Sequence, residues 1–252
     1  MSRLFTFGCS FTHWAWPTWA DIIAHDLAIP YYNWGMPGMG NIAMQNRLTE
    51  CDLRNNFNKD DIILVVWSTW SREDRYNVGK GAQRGYGWNV RGDVLHSYDT
   101  QFIDNHWSIN NDLIKNSTAI ISANKMFDIK FNGHIYTPLI DSSEDESLYF
   151  TEHEKTIANF YQPHIPNDGV YNRKHGSYRV DTHPSIIAHL EYVREFIEPK
   201  LGKPLRTKTI DYFTEMHNVV DDFAKSIDTS DNIDSKLKIL NLLTEKFNWN
   251  AS

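Results

Sequence analysis

The run DIILVVW at residues 61–67 limits what this chain can fold into more than any other stretch. A strand with one wet face alternates apolar and polar side chains. A continuous apolar run needs cover on both faces, as at the centre of a parallel sheet. Parallel neighbours need long crossovers, and helical patterns stand where those crossovers fall. Residues 3–7 read as a first strand, and Pro17 marks a helix start with Trp19, Ile22, Ile23 and Leu27 as its apolar face. PYYNW (30–34) reads as a short second strand, and Asn41 is placed to cap a helix over 42–54. A helix over about 104–127 and a strand over 133–139, ending at Pro138, complete the alternation. Alternation of this kind predicts an α/β fold: a mostly parallel sheet in a three-layer α/β/α sandwich.

Two stretches fall outside the alternation. Residues 71–107 hold the glycine-rich, polar NVGKGAQRGYGWNVRG and read as a long functional loop, with Arg72, Tyr86 and Trp88 as candidate substrate-binding residues. Arg72 has the alternative of pairing with Glu73 or Asp74 on the surface. From Asp211 onward, Phe213, Met216, Val220 and Phe223, then Leu237, Leu240, Leu243 and Phe247, give two amphipathic patterns. They predict a C-terminal helical extension over 205–252, after an α/β domain over 1–204, and offer a surface for oligomerisation.

Composition narrows the function. A net charge of −7 with no basic stripe argues against nucleic acid or an anionic membrane as partner. No apolar run approaches the roughly 20 residues of a membrane span. Two cysteines, Cys9 and Cys51, make no disulfide framework, and the first residues lack a signal-peptide pattern, so the expectation is a cytoplasmic protein. Eleven histidines include EHE at 152–154, but no His-x-x-Glu-His or Cys-x-x-Cys spacing accompanies them, so no metal and no cofactor is expected.

The first strand runs into GCSFT (8–12). Gly8 there can take a positive φ, and Ser10 or Thr12 can cap the next helix. Far along the chain, VDTHP (180–184) sets Asp181 and His183 just before a helical pattern. A serine hydroxyl is a weak nucleophile until a base takes its proton, and that base works best when a carboxylate orients it. Ser10, His183 and Asp181 are the candidates for these three roles, and the chemistry expected of such a set is acyl transfer.

In these blocks the chain resembles the SGNH, or GDSL-type, hydrolases, and in particular uncharacterised phage-borne members. GCSFT is similar to the family's Gly-Asp-Ser block, with Cys9 for the Asp. NWGMPGMGN (33–41) is similar to the second block, and DTHP to the last. The resemblance implies a flavodoxin-like sandwich acting as a serine esterase. Ser10 would be the nucleophile, His183 the base and Asp181 its orienter, with the N–H groups of Ser10 and Gly38 forming the oxyanion hole. Asp181 and His183 stand one residue apart where the family has two. The family's Gly-x-Asn at the end of the central strand is replaced by VVWSTWSRED (65–74). Losing one oxyanion donor typically costs about 100- to 1,000-fold in rate. Thr69, Trp70 and Asn41 are the candidates to replace it, the first two preferred because Asn41 is expected to cap its helix. The chain lacks the Gly-x-Ser-x-Gly of an α/β-hydrolase and the Gly-x-Gly-x-x-Gly of a dinucleotide site.

Aromatic faces beside Arg and Asn side chains suit a sugar ring, so the expected substrate is a small-molecule or glycan ester. The alternative is a catalytically silent binding or assembly module of the same fold.

Overall fold

The computed structural model describes residues 1–76, 88–93, 99–135, 183–226 and 235–249. In chain order the elements are β1 (Leu4–Gly8), α1 (Trp19–Leu27), β2 (Tyr31–Asn33), α2 (Asn41–Asn55), β3 (Ile62–Trp67), β4 (Arg72–Tyr76), β5 (Trp88–Asp93), α3 (Thr100–His106), α4 (Ile109–Met126) and β6 (Ile129–His134). After them α5 (Ile186–Tyr192) runs through a π-helical turn (Val193–Ile197) into α6 (Glu198–Leu201), followed by α7 (Thr207–Ser226) and α8 (Ser235–Phe247). The fold is α/β, with a four-stranded, all-parallel sheet in the order β2-β1-β3-β6 flanked by helices, consistent with a three-layer α/β/α sandwich.

By compactness the chain divides into two units, the first comprising residues 1–9 and 34–164. Its centre is β3, which pairs with β1 from Leu4↔Ile62 to Gly8↔Val66 and with β6 from Ile63↔Ile129 to Trp67↔His134. Leu64, Val65, Val66 and Trp67 are fully buried, which is why this run carries no polar residue. At the start of the sheet, Asp61 is only 2% exposed and accepts from Arg3 Nε at 2.9 Å and Nη2 at 2.5 Å, a bidentate pair that holds the two strand starts in register. Helix α2 packs on α4 and on β4.

Several elements differ from expectation. The 71–107 stretch contains an antiparallel pair, β4 with β5, whose polar sequence hides it from an apolar-alternation test. The helix expected over 104–127 is two helices. Ser108 breaks it, accepting from Asn111 N at 3.5 Å to start α4. The last strand of the sheet runs over 129–134 rather than 133–139, with Asn132 tolerated because Trp67 Nε1 and Asn124 Nδ2 both donate to its Oδ1. Residues 136–139 lie outside the described residues, as do the acidic DSSEDES (141–147) and the EHE stretch.

The second unit comprises residues 10–33 and 165–252. Here α1 packs on α5 and α7, and α7 packs on α5 and α8. The expected face of α7 is buried at Phe213, Met216 and Val220. On α8 Leu243 of the expected face is buried together with Ile239, an i,i+4 pair, and Leu240 and Phe247 are partly buried, while Leu237 is 54% exposed. Buried Asp26, in the last turn of α1, accepts from Arg206 N at 2.8 Å and Nε at 3.2 Å, fixing the approach to α7.

No helix among the described residues is long and apolar enough to cross a membrane.

Candidate functional site

Gly8 ends β1 in extended conformation, paired with Val66, and needs no positive φ. Cys9 follows, fully buried as a free thiol, and Ser10 sits in the next turn, 5% exposed. Neither Ser10 nor Thr12 caps α1. The cap is Thr18, whose N–H donates to Asp21 Oδ2 at 2.8 Å, while its hydroxyl donates to Thr12 O at 2.8 Å. Thr12 O also accepts from Asn33 Nδ2 at 3.0 Å, and Thr12 Oγ1 accepts from Trp19 Nε1 at 3.2 Å. Thr12 is thus the knot that shapes the loop after Ser10.

His183 stands two residues before Ser185, the N-cap of α5, whose hydroxyl accepts from Ala188 N at 3.1 Å. Between them, Pro184 O accepts from Trp16 Nε1 at 2.9 Å, which pins this corner to the loop that follows Ser10. The His183 ring stacks on Trp14, with centroids 3.6 Å apart and planes 20° apart, and lies edge-on to Phe11 at 5.6 Å. The structure thus brings His183 against the segment that begins at Ser10. Asp181 lies outside the described residues.

A residue that sequence reasoning missed is His189, 1% exposed on α5 and edge-on to Phe11 at 6.5 Å and 89°. Its Nδ1 has no hydrogen-bond partner. Burial pushes its imidazole down to about 3, with the charge on nearby His183 a smaller cause in the same direction. The available signal was a polar residue inside the apolar stripe of Ile186, Leu190 and Val193.

The glycine-containing block and the end of β3 belong to the first unit. Met39 N donates to Met36 O at 3.1 Å around Pro37 and Gly38, and Gly38 has φ +83°, a type II turn in which glycine is the natural third residue. Asn41 does not cap α2. Gly40 is the N-cap and Asn41 the first helical residue. Asn41 is buried instead against Ser68, accepting from Ser68 N at 2.8 Å and donating to Ser68 O at 3.1 Å and Asn116 Oδ1 at 2.9 Å. Both of its amide hydrogens are thereby engaged. Trp70 O accepts from Asn116 Nδ2 at 3.0 Å, and the hydroxyls of Thr69 and Ser71 lie 3.1 Å apart. Arg72 donates through Nη1 to Met39 O at 2.9 Å, which secures the turn, and its charge also acts on Asp74. Glu73 meets Arg75 at 3.4 Å and Lys115 at 3.5 Å.

Asp74 does what Asn41 was expected to do. It accepts from Gly40 N at 2.9 Å and Ala43 N at 3.0 Å, capping α2 from β4. Burial nonetheless pushes its carboxyl up to about 6, against the pull of those two N–H groups and of Arg72. Of the candidate substrate residues beyond Arg72, Trp88 contributes backbone to β5 and Tyr86 lies outside the described residues. Among the described residues no group of three or more His, Cys, Asp or Glu is gathered to hold a metal ion.

Compared with protein families, with curated proteins and with solved structures, the chain matches none.

Proposed function

We propose that the chain is a serine ester hydrolase of the SGNH type. The observation that supports it best is the seating of His183 on Trp14 and Phe11, within the loop that Ser10 opens. A base is useful only if its ring is held beside the hydroxyl it serves, and a stacked imidazole at a helix start is held. In the reaction, Ser10 Oγ attacks the ester carbonyl carbon while its proton passes to His183. The oxyanion accepts a hydrogen bond from the Ser10 N–H. His183 then returns the proton to the departing alcohol, leaving an acyl-Ser10 that water cleaves by the same steps with the acid released. Asp181 is assigned to orient the ring, and an ester-bearing carbohydrate is the substrate class we favour, from the aromatic and arginine content of the 71–107 stretch.

A fluorophosphonate probe tests the reading, because it labels only an activated serine. Wild-type protein should be labelled and should hydrolyse short aryl esters slowly. Ser10→Ala should abolish both with the fold retained, and His183→Ala should abolish turnover to the same extent. Labelling that persists in Ser10→Ala would overturn the assignment. The second reading, a silent binding module, is favoured by the engagement of both Asn41 amide hydrogens, which leaves that side chain unable to stand in for the family's Asn. It predicts no labelling in the wild-type protein.

A further inference from the structure

The C-terminal helix lies outside the stretch that resembles the hydrolases, yet it reaches the aromatic ring that seats His183. Lys236, the second residue of α8, places Nζ 4.4 Å from the centroid of the Trp14 ring. The same ring carries His183 at 3.6 Å, nearly parallel, and is braced edge-on by Trp16 at 6.1 Å and 85°. One indole thus contacts both the His183 imidazole and the Lys236 ammonium group, and all three residues belong to the second unit.

One cost shows that this arrangement is not the simplest way to pack the corner. The indole Nε1 is buried with no hydrogen-bond partner, a penalty that a Phe or Leu at position 14 would avoid. A cation over an indole face is attracted by the ring quadrupole, and Trp offers the strongest such face. That attraction is set against the cost.

We propose that α8 is a working part of the Ser10–His183 site: Lys236 clamps the Trp14 ring, and Trp14 in turn holds the plane of the His183 ring. Lys236 and Trp14 are then positioning residues, and docking of the C-terminal helix regulates the base. The proposal rests on His183 being the base, but its first test does not.

The His183 ring protons, assigned by comparison with His183→Gln, should be shifted upfield by the Trp14 ring current in NMR spectra of the full chain. Lys236→Met should move them back toward the positions of an unstacked histidine, and Lys236→Arg should recover the shift. Ring protons unmoved in Lys236→Met overturn the clamp, whether or not the protein hydrolyses esters. Where it does, Lys236→Met should lower kcat about tenfold with little change in KM, the order of one cation–π contact. Trp14→Leu should lower kcat by about 100-fold, the scale of a small misplacement of a catalytic group. The double variant should be no slower than Trp14→Leu alone, since the effect of Lys236 passes through the ring. Additive losses would mean that Lys236 merely anchors α8, and that outcome also overturns the proposal.

Discussion

Gly40 is a glycine for a reason other than its torsion angles. Its φ of −96° suits any residue, but a Cβ there would lie 2.6 Å from Asp74 Oδ2 and 2.9 Å from Arg72 Cβ. The carboxylate can swing away only by releasing the N–H groups it caps, and the Arg72 Cβ is fixed by the backbone of β4. Gly202 is the opposite case: φ is +70° and nothing stands within 4 Å of the added atom. Gly40→Ala should therefore cost about 2–3 kcal/mol by overpacking, whereas Gly202→Ala should cost about 1 kcal/mol in backbone strain. Urea midpoints of the two variants give the comparison. Equal losses would show that the approach of β4 to the start of α2 is looser than these distances imply.

At the scale of the element, α2 is a helix capped from outside itself. Its N-cap is a glycine and its first turn holds no acid, so the free N–H groups of Gly40 and Ala43 are satisfied by Asp74 of β4. Because burial raises the Asp74 carboxyl to about 6, the group is protonated in both folded and unfolded chains below about pH 4, and its ionisation in the fold becomes costly as pH rises toward 6. This group therefore removes stability with rising pH, by roughly 1–2 kcal/mol once solvent screening is allowed for. Asp74→Asn keeps an acceptor for the helix and loses the titration, so between pH 4 and 6 its stability should rise with pH more steeply than that of the wild type. An unchanged slope in thermal melts would remove Asp74 as a contributor. The same region shows where sequence reading stops. The β3 strand and the amphipathic faces of α1 and α7 were legible because burial alone dictates their patterns. The β4–β5 pair was not, since REDRY carries no apolar alternation. The cap was misplaced because Asn41 finds a buried partner in Ser68, far off in sequence, while the true cap arrives from 34 residues away. Ser10 and His183 were singled out as site candidates from local blocks. Trp14, His189 and Lys236 were not, because what marks them is contact with residues on distant segments.

Taken as a whole, the molecule carries a liability to acid in each of its two units. In the first, His134 at the end of β6 is 4% exposed, and burial pushes its imidazole down to about 4. In the second, His189 is pushed down to about 3. Both are neutral in the fold and become charged once the chain unfolds below about 6.5. The sign follows: the unfolded chain binds more protons, so the stability these groups confer is complete above about 6.5 and is lost as pH falls. By pH 4 each would remove on the order of 3 kcal/mol, which exceeds the opposite contribution of Asp74 and is a large share of a typical folding free energy. Acid unfolding should therefore begin near pH 6 and be well advanced by pH 4, before the low-lying carboxylates Asp26 and Asp61 take up protons. His189→Leu removes both the titration and the unpartnered Nδ1, at the cost of some packing. Near-UV circular dichroism across an acid titration should place its unfolding midpoint at lower pH than the wild type, with little loss of stability at pH 8. A midpoint that does not move would mean that protonation of His189 is not what opens the second unit.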